Sequence, residues 1–308
     1  MSENSRFGNV LTAMVTPFDP QGDVDIEGCR RLAQWLTRPG WNDGLVLNGT
    51  TGEAFSTSAA EKRRVIETVR EVLAPAGRSV IAGVGSSDTR HSVALAQDAE
   101  DAGADGLLVV APYYCRPSQS GLIDYFTAIA DSTSLPVIVY DIPKRTGVAV
   151  EPETLRALAE HVRIVAVKDA KGDLQSTSWV LKHTGLVYYS GDDALNLPLL
   201  SVGASGFISV AGHLAAPALR SMLACFHSGS MEDALGIHRE LLPIFTGLFR
   251  CPASASVKEL LSFLHLPAGP VRSPLVPLSP QEVQVLMKDF EASTACTTAV
   301  ASLLRPVS

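Results

Sequence analysis

The chain has 308 residues, 46 % of them hydrophobic and 19 % charged, with a net charge of −7. That composition supports a large core and excludes global disorder. The acidic balance, and the lack of clustered Lys and Arg, disfavour nucleic acid as a partner, because neutralising phosphates needs such clusters.

In chain order, the opening MSENSRFG lacks the basic and apolar regions of a secretion signal. Eight short apolar runs then recur: Val10–Thr16, Gly44–Asn48, Ser79–Gly83, Gly106–Val110, Pro136–Tyr140, Ile164–Lys168, Leu186–Ser190 and Gly206–Val210. Most are continuous rather than alternating, as expected of parallel strands covered by helices on one face. Between them, Glu61–Leu73 sets Val65, Ile66, Val69, Val72 and Leu73 on one helical face, with Ser58 and Glu61 forming a capping box. Lys62-Arg63-Arg64 in that segment is expected on the solvated side. Asp88–Ala102 is the next helix, stopped by Gly103, which can take the left-handed conformation. Ser120–Ser132 and Glu151–Glu160 follow in the same style.

Eight strand–helix units in roughly 230 residues suit a (β/α)8 barrel, which typically takes about 250. The α/β TIM barrel is placed at residues 1–229. A doubly wound sheet would be expected to open with GxGxxG, of which Gly83-Val84-Gly85 is only a fragment and reads as a tight turn. Residues 230–308 read as a C-terminal helical extension: Met231–Leu248, Ser256–His265 and Pro280–Phe290 are helical, Leu266–Ser279 connects two of them, and residues 292–308 are expected to be loosely ordered. The five cysteines are dispersed, with no CxxC pair, and read as reduced thiols of a cytoplasmic protein. No apolar run approaches the ~20 residues that span a bilayer.

In such barrels the site lies at the carboxyl ends of the strands. Gly49-Thr50-Thr51-Gly52-Glu53 follows the second strand and offers two hydroxyls and exposed amides to a carboxylate, or is simply a loop. Pro112-Tyr113-Tyr114 follows the fourth; aromatic pairs there usually pack. The fifth ends at Tyr140, with Arg145 shortly after: a phenol that can move protons and a guanidinium that can fork onto a carboxylate, or a hydrogen-bonded tyrosine and a surface ion pair. Lys168 closes the sixth strand. A lysine is rarely buried without a partner or a task, and desolvation lowers its pKa toward the neutral amine that a Schiff base requires; a structural salt bridge to Asp169 is the alternative. Gly191-Asp192-Asp193 follows the seventh strand, and Gly206-Phe207-Ile208-Ser209 forms the eighth. None of the seven histidines pairs with a nucleophile at a strand tip, so a Ser–His–Asp triad and a metal cluster are not expected.

Together these segments resemble the dihydrodipicolinate synthase family, within the pyruvate-dependent class I aldolases that include N-acetylneuraminate lyase. The motifs are Leu11-Thr12-Ala13-Met14-Val15-Thr16-Pro17-Phe18, Gly49 through Glu53, Pro112-Tyr113-Tyr114 with Arg116-Pro117, Tyr140 through Gly147, Val167-Lys168-Asp169, Ser190 through Asp193, and Val271 through Leu275. The resemblance implies that Lys168 holds pyruvate as an imine and that no other cofactor is needed. It implies that Tyr140, Thr50 and Tyr114 relay protons, the last from a neighbouring subunit. Thr51, Gly191 and the backbone of Ile208 would border the pyruvate end, and Arg145 would bind the carboxylate of aspartate semialdehyde in lysine and diaminopimelate biosynthesis. A homotetramer built as a dimer of dimers is implied too. Asp141, Lys144 and Cys115 depart from the commoner residues of the family, and the stretches that bind inhibitory lysine carry Ala54, Phe55, Ala59, Lys62 and His91, so weak or absent feedback inhibition is expected. A 2-keto-3-deoxy sugar-acid or N-acetylneuraminate-type lyase is the rival enzyme, in which Arg145 would matter little. A non-catalytic barrel would have no need of Lys168 and Tyr140.

Overall fold

The computed structural model describes residues 6–301, in which eight parallel strands close into a barrel in sequence order. They are β1 (Val10–Ala13), β2 (Gly44–Leu47), β3 (Ser79–Gly83), β4 (Gly106–Val110), β5 (Val137–Asp141), β6 (Ile164–Asp169), β7 (Val187–Ser190) and β8 (Gly206–Ser209). β8 returns to β1 with Leu11 opposite Ile208, which leaves no free sheet edge.

Helices α1 (Ile26–Leu36), α2 (Ala59–Leu73), α3 (Thr89–Asp101) and α4 (Gln119–Asp131) follow the first four strands. Two short helices, α5 (Pro143–Thr146) and α6 (Pro152–Leu158), follow β5, and α7 (Leu174–His183), α8 (Asn196–Ser201) and α9 (Gly212–Ser228) follow the last three strands. Beyond them come α10 (Met231–Gly247), α11 (Ala253–Phe263), α12 (Pro280–Ala292) and α13 (Thr294–Ala299). The starts are chemically marked. Asp25, Ser58, Asp88, Ser118, Asp173 and Ser279 each accept a first-turn backbone N–H that would otherwise lack a partner. Ser58 with Glu61 and Ser279 with Glu282 form full capping boxes. Gly103 takes φ +88 just after α3, as its position required.

Strand residues alternate between two cores. Ile138, Tyr140 and Ala166 face the barrel interior with Leu11, Val46, Ile81, Leu108 and Ile208, whereas Val137, Val139 and Val167 face the helices. This parity decides which side chains can reach the mouth of the barrel.

Three expectations are corrected. β5 and β6 each run one residue further than the apolar runs, so that Asp141 pairs in register with Asp169. Lys62 is not solvated: it shares a face of α2 with Ile66 and Val69, is 8 % exposed, and donates from Nζ to the Thr57 carbonyl. Part of the tail is helical, because Cys296 and Val300 are buried and Ser293 Oγ accepts from Ile244 N at 3.0 Å, tying α13 to α10; residues 302–308 lie outside the described ones.

Candidate active site

The inward positions at the tips of β5 and β6 carry Tyr140 and Lys168, which are register partners across the two strands. Lys168 is 5 % exposed and its Nζ lies 4.3 Å from the centre of the Tyr140 ring. The next tip supplies the space for it: a Cβ at Gly191 would meet Lys168 Cγ at 2.8 Å and Cε at 2.9 Å. Only glycine lets the lysine stem pass β7 unshifted.

Burial is the main cause that brings the Lys168 amine down to about 8; Asp193 opposes the shift and Arg145 adds to it. An amine so placed has a far larger uncharged fraction near neutral pH than an exposed lysine, and nucleophilic attack requires that form. Burial also pushes the Tyr140 phenol up to about 12, against the pull of Arg145. Tyr140 is therefore a proton donor at neutral pH.

Asp193, which could be read from sequence as a simple helix start, is fully enclosed behind the lysine. Burial raises its pKa, while Ser209 Oγ, Val210 N (3.0 Å), Ala211 N (2.8 Å) and Asn196 Nδ2 (3.1 Å) all donate to its carboxylate. It joins the loop after β7 to the tip of β8.

These groups open into a cavity of about 640 Å³ whose wall includes Thr50, Thr51, Tyr140, Arg145, Lys168 and Gly191. Its base is apolar, from Ala13, Val46 and Leu108, and α10 brings Phe245 toward it. A second cavity of about 390 Å³ shares Thr50, Tyr140 and Arg145, and continues to Lys62 and His91. Burial lowers the Lys62 ammonium to about 8.

The Thr50–Thr51 turn is held by unusual means. Asn48 and Glu53, on either side, both adopt left-handed backbone conformations, at φ 54 and 55. The Glu53 carboxylate is fully buried and accepts from Lys258 Nζ at 2.6 Å and from Arg272 N at 2.9 Å. Lys258 also donates to the Pro270 carbonyl at 2.7 Å. The C-terminal helices thus pin a loop of the barrel mouth.

Two expected residues stand elsewhere. Ile208 is fully buried inside the barrel and does not line the cavity; Val210 does. Tyr114 is 95 % exposed at φ 73 and is absent from the walls of both cavities. His213 behaves as a core histidine, with Nε2 accepting from Val15 N at 3.1 Å and Nδ1 donating to the Val210 carbonyl at 2.8 Å. Among the described residues, no group of three or more His, Cys, Asp or Glu side chains could hold a metal ion.

A desolvated amine, a protonated phenol, two hydroxyls and a guanidinium around an apolar base can form an imine with a keto acid and present it to a second anionic substrate. Comparison with known proteins gives this arrangement a lineage. The Dihydrodipicolinate synthetase family matches residues 6–293, which include every strand tip. The chain belongs to this family. A 4-hydroxy-tetrahydrodipicolinate synthase 2 of Streptomyces coelicolor is 53 % identical over 286 residues, covering 93 % of this chain and 95 % of that protein. A 4-hydroxy-tetrahydrodipicolinate synthase of Acidothermus cellulolyticus is 52 % identical over 287 residues, covering 93 % and 92 %. Among solved structures, a family member from Cyanidioschyzon merolae with lysine bound superposes with a TM-score of 0.91 at 37 % identity, covering 94 % of this chain and 99 % of that one. Within the Dihydrodipicolinate synthetase family, then, this chain keeps the whole barrel and its C-terminal helices. No helix among the described residues is long and apolar enough to cross a membrane.

Proposed function

We propose that the chain is a 4-hydroxy-tetrahydrodipicolinate synthase that condenses pyruvate with L-aspartate 4-semialdehyde through an imine on Lys168. The names of its relatives support the activity. The buried lysine facing Tyr140 is the observation that carries the chemistry. The uncharged Lys168 amine attacks C2 of pyruvate. Tyr140 protonates the departing hydroxyl, water leaves, and the iminium forms. Loss of a C3 proton gives the enamine, whose carbon attacks the aldehyde of the second substrate. The new bond draws its electrons from the enamine, so no redox cofactor or metal takes part. Thr51 and the groups beside Gly191 receive the pyruvate carboxylate, and Arg145, at the rim, receives that of the semialdehyde.

Thr50 and Tyr114 complete the proton relay in this reading, with Tyr114 supplied by a neighbouring subunit of a homotetramer arranged as a dimer of dimers. The outward Tyr114, with Tyr113 and Phe55 also exposed at the barrel mouth, supports that assembly. The reading places the enzyme in the cytoplasm. Lysine inhibits it weakly or not at all, since the buried ammonium of Lys62 at the second cavity repels a cationic amino acid.

Borohydride reduction in the presence of pyruvate, followed by peptide mass spectrometry, is the test. A mass adduct on Lys168 together with turnover of aspartate semialdehyde is expected. An adduct with turnover only of 2-keto-3-deoxy sugar acids would transfer the enzyme to the lyases, and no adduct would overturn the mechanism.

A further inference from the structure

β5 ends on two residues that face opposite ways. Tyr140 points into the barrel. Asp141, next to it, lies under the outer helices and is 1 % exposed. Its register partner is Asp169, which directly follows Lys168. Two buried carboxylates therefore stand side by side behind the amine and the phenol.

Lys171 faces both. Its Nζ is 3.3 Å from Asp141 Oδ2, and its backbone N–H donates to Asp169 Oδ1 at 2.8 Å. Asp169 is otherwise satisfied by Gly172 N at 3.0 Å and Thr177 Oγ1 at 2.7 Å. Asp141 is committed to a different task. Its carbonyl accepts from Ala170 N at 2.9 Å, and its Oδ1 accepts from Val150 N at 3.1 Å. Lys171 Nζ in turn donates to the Val150 carbonyl at 3.3 Å. Val150 is thus gripped by both members of the pair: its N–H by the carboxylate, its C=O by the ammonium.

Between Asp141 and Val150 runs the loop that carries Arg145. Inside it, Arg145 N donates to the Ile142 carbonyl at 2.9 Å and Thr146 Oγ1 to the Val148 carbonyl at 2.8 Å. The Arg145 side chain is exposed at the rim, so its direction depends on how the ends of its loop are held. An asparagine at 141 could accept the Val150 N–H as well as an aspartate does. What asparagine could not do is hold the Lys171 ammonium against the same residue.

We propose that the Asp141–Lys171 pair positions Arg145: it fixes both ends of the 142–149 loop so that the guanidinium meets the carboxylate of the aldehyde substrate. The pair acts on the second substrate and not on imine formation, although it lies directly behind Tyr140 and Lys168. The inference rests on the synthase reading above. The titratable groups that face Asp141 are Lys171 and Asp169, from β6 and the turn after it, and Tyr188 on β7. Burial raises the Asp141 carboxyl to about 6 in spite of Lys171, so desolvation outweighs the ion pair and the charge is lost as pH falls through about 6.

The test uses the full-length enzyme with Asp141→Asn, which keeps the acceptor for Val150, and Lys171→Met, which removes the cation. Each is expected to raise KM for aspartate semialdehyde roughly tenfold, the scale of a small misplacement of a binding group. KM for pyruvate and the rate of borohydride trapping on Lys168 stay within about twofold of the parent, because preorganisation of the amine is untouched. The double variant loses less than the product of the two single losses, as a shared interaction requires. Lys171→Arg, which keeps the charge, recovers most of the semialdehyde KM. In the parent that KM rises as pH falls through about 6, and in Asp141→Asn this limb is absent. Unchanged semialdehyde KM in either single variant, or KM values for both substrates rising together, would overturn the proposal. If the parent itself forms no pyruvate adduct, it is the synthase reading that fails. If Asp141→Asn does not fold, Lys171→Met and Lys171→Arg decide alone.

Discussion

The tips of β5 and β6 and the loop after β4 are built in opposite ways. Tyr140 and Lys168 sit at strand ends, where pleat parity fixes their direction and the barrel removes them from water. Their ring-to-amine spacing is 4.3 Å within one chain. Tyr114, two residues beyond Pro112, is 95 % exposed at φ 73, a conformation that costs an L-residue about 1–2 kcal/mol. A phenol in water keeps its full rotamer freedom and cannot be preorganised for proton transfer by its own chain. In the proposed reaction, imine formation would thus be a property of the single barrel, whereas any catalytic part for Tyr114 would be a property of an assembly.

The sharpest way to break this comparison is Lys168→Ala. It removes the nucleophile, so no pyruvate adduct forms and kcat/KM falls by roughly 10⁴-fold or more; residual trapping on another lysine would show that the barrel tip is not the reacting centre. Tyr140→Phe keeps the packing and deletes the proton. A loss of roughly 10²- to 10³-fold in kcat is expected, measured with slowed borohydride trapping, and normal trapping would deny the phenol its part in water loss. Tyr114→Phe acts on the other side of the comparison. Its cost is expected near 10²-fold, at the low end for a positioned proton-transfer group, with the wild type showing a similar loss per chain when diluted below its association midpoint. Sedimentation and activity measured over the same dilution series check this. Full activity in a monomer would remove Tyr114 from the site.

The same contrast governs what could be read from the sequence. Continuous apolar runs marked all eight strands because parallel strands in a barrel are buried on both faces, and Lys168 stood out because a charge has no ordinary reason to close such a run. Helix α7 escaped notice since Thr177 and Val180 are its only buried residues, too few to make a stripe. α1 shows Cys29, Leu32, Ala33 and Leu36 at clean helical spacing and could have been found. Contacts between distant segments were out of reach: Glu53 meets Lys258 from 205 positions away, and nothing local in Asp141 announces Lys171 or Val150. Lys62 misled for the same reason, since a run of three basic residues gives no sign that one of them turns inward.

The buried side of the site should also carry a measurable penalty that the exposed side does not. Burial holds the Asp141 carboxyl at about 6, above its ordinary 3.8. A raised carboxyl means that the folded state binds the proton more tightly than the unfolded chain does. The stabilisation from this group is therefore fully present below pH 3.8 and is lost as pH rises through about 6. The gap between those values corresponds to about 3 kcal/mol at most. Denaturant unfolding of the parent and of Asp141→Asn at several pH values between 4 and 8 isolates it, because the other groups titrate alike in both. The difference in stability, variant minus parent, is expected to grow as pH rises from 3.8 to about 6 and to stay level above that. A difference independent of pH would mean that Lys171 offsets the whole desolvation of Asp141, and that the pair behind the catalytic strands is held without a stability penalty. The exposed loop of Tyr114 offers no such signal, so the two regions can be told apart by titration as well as by kinetics.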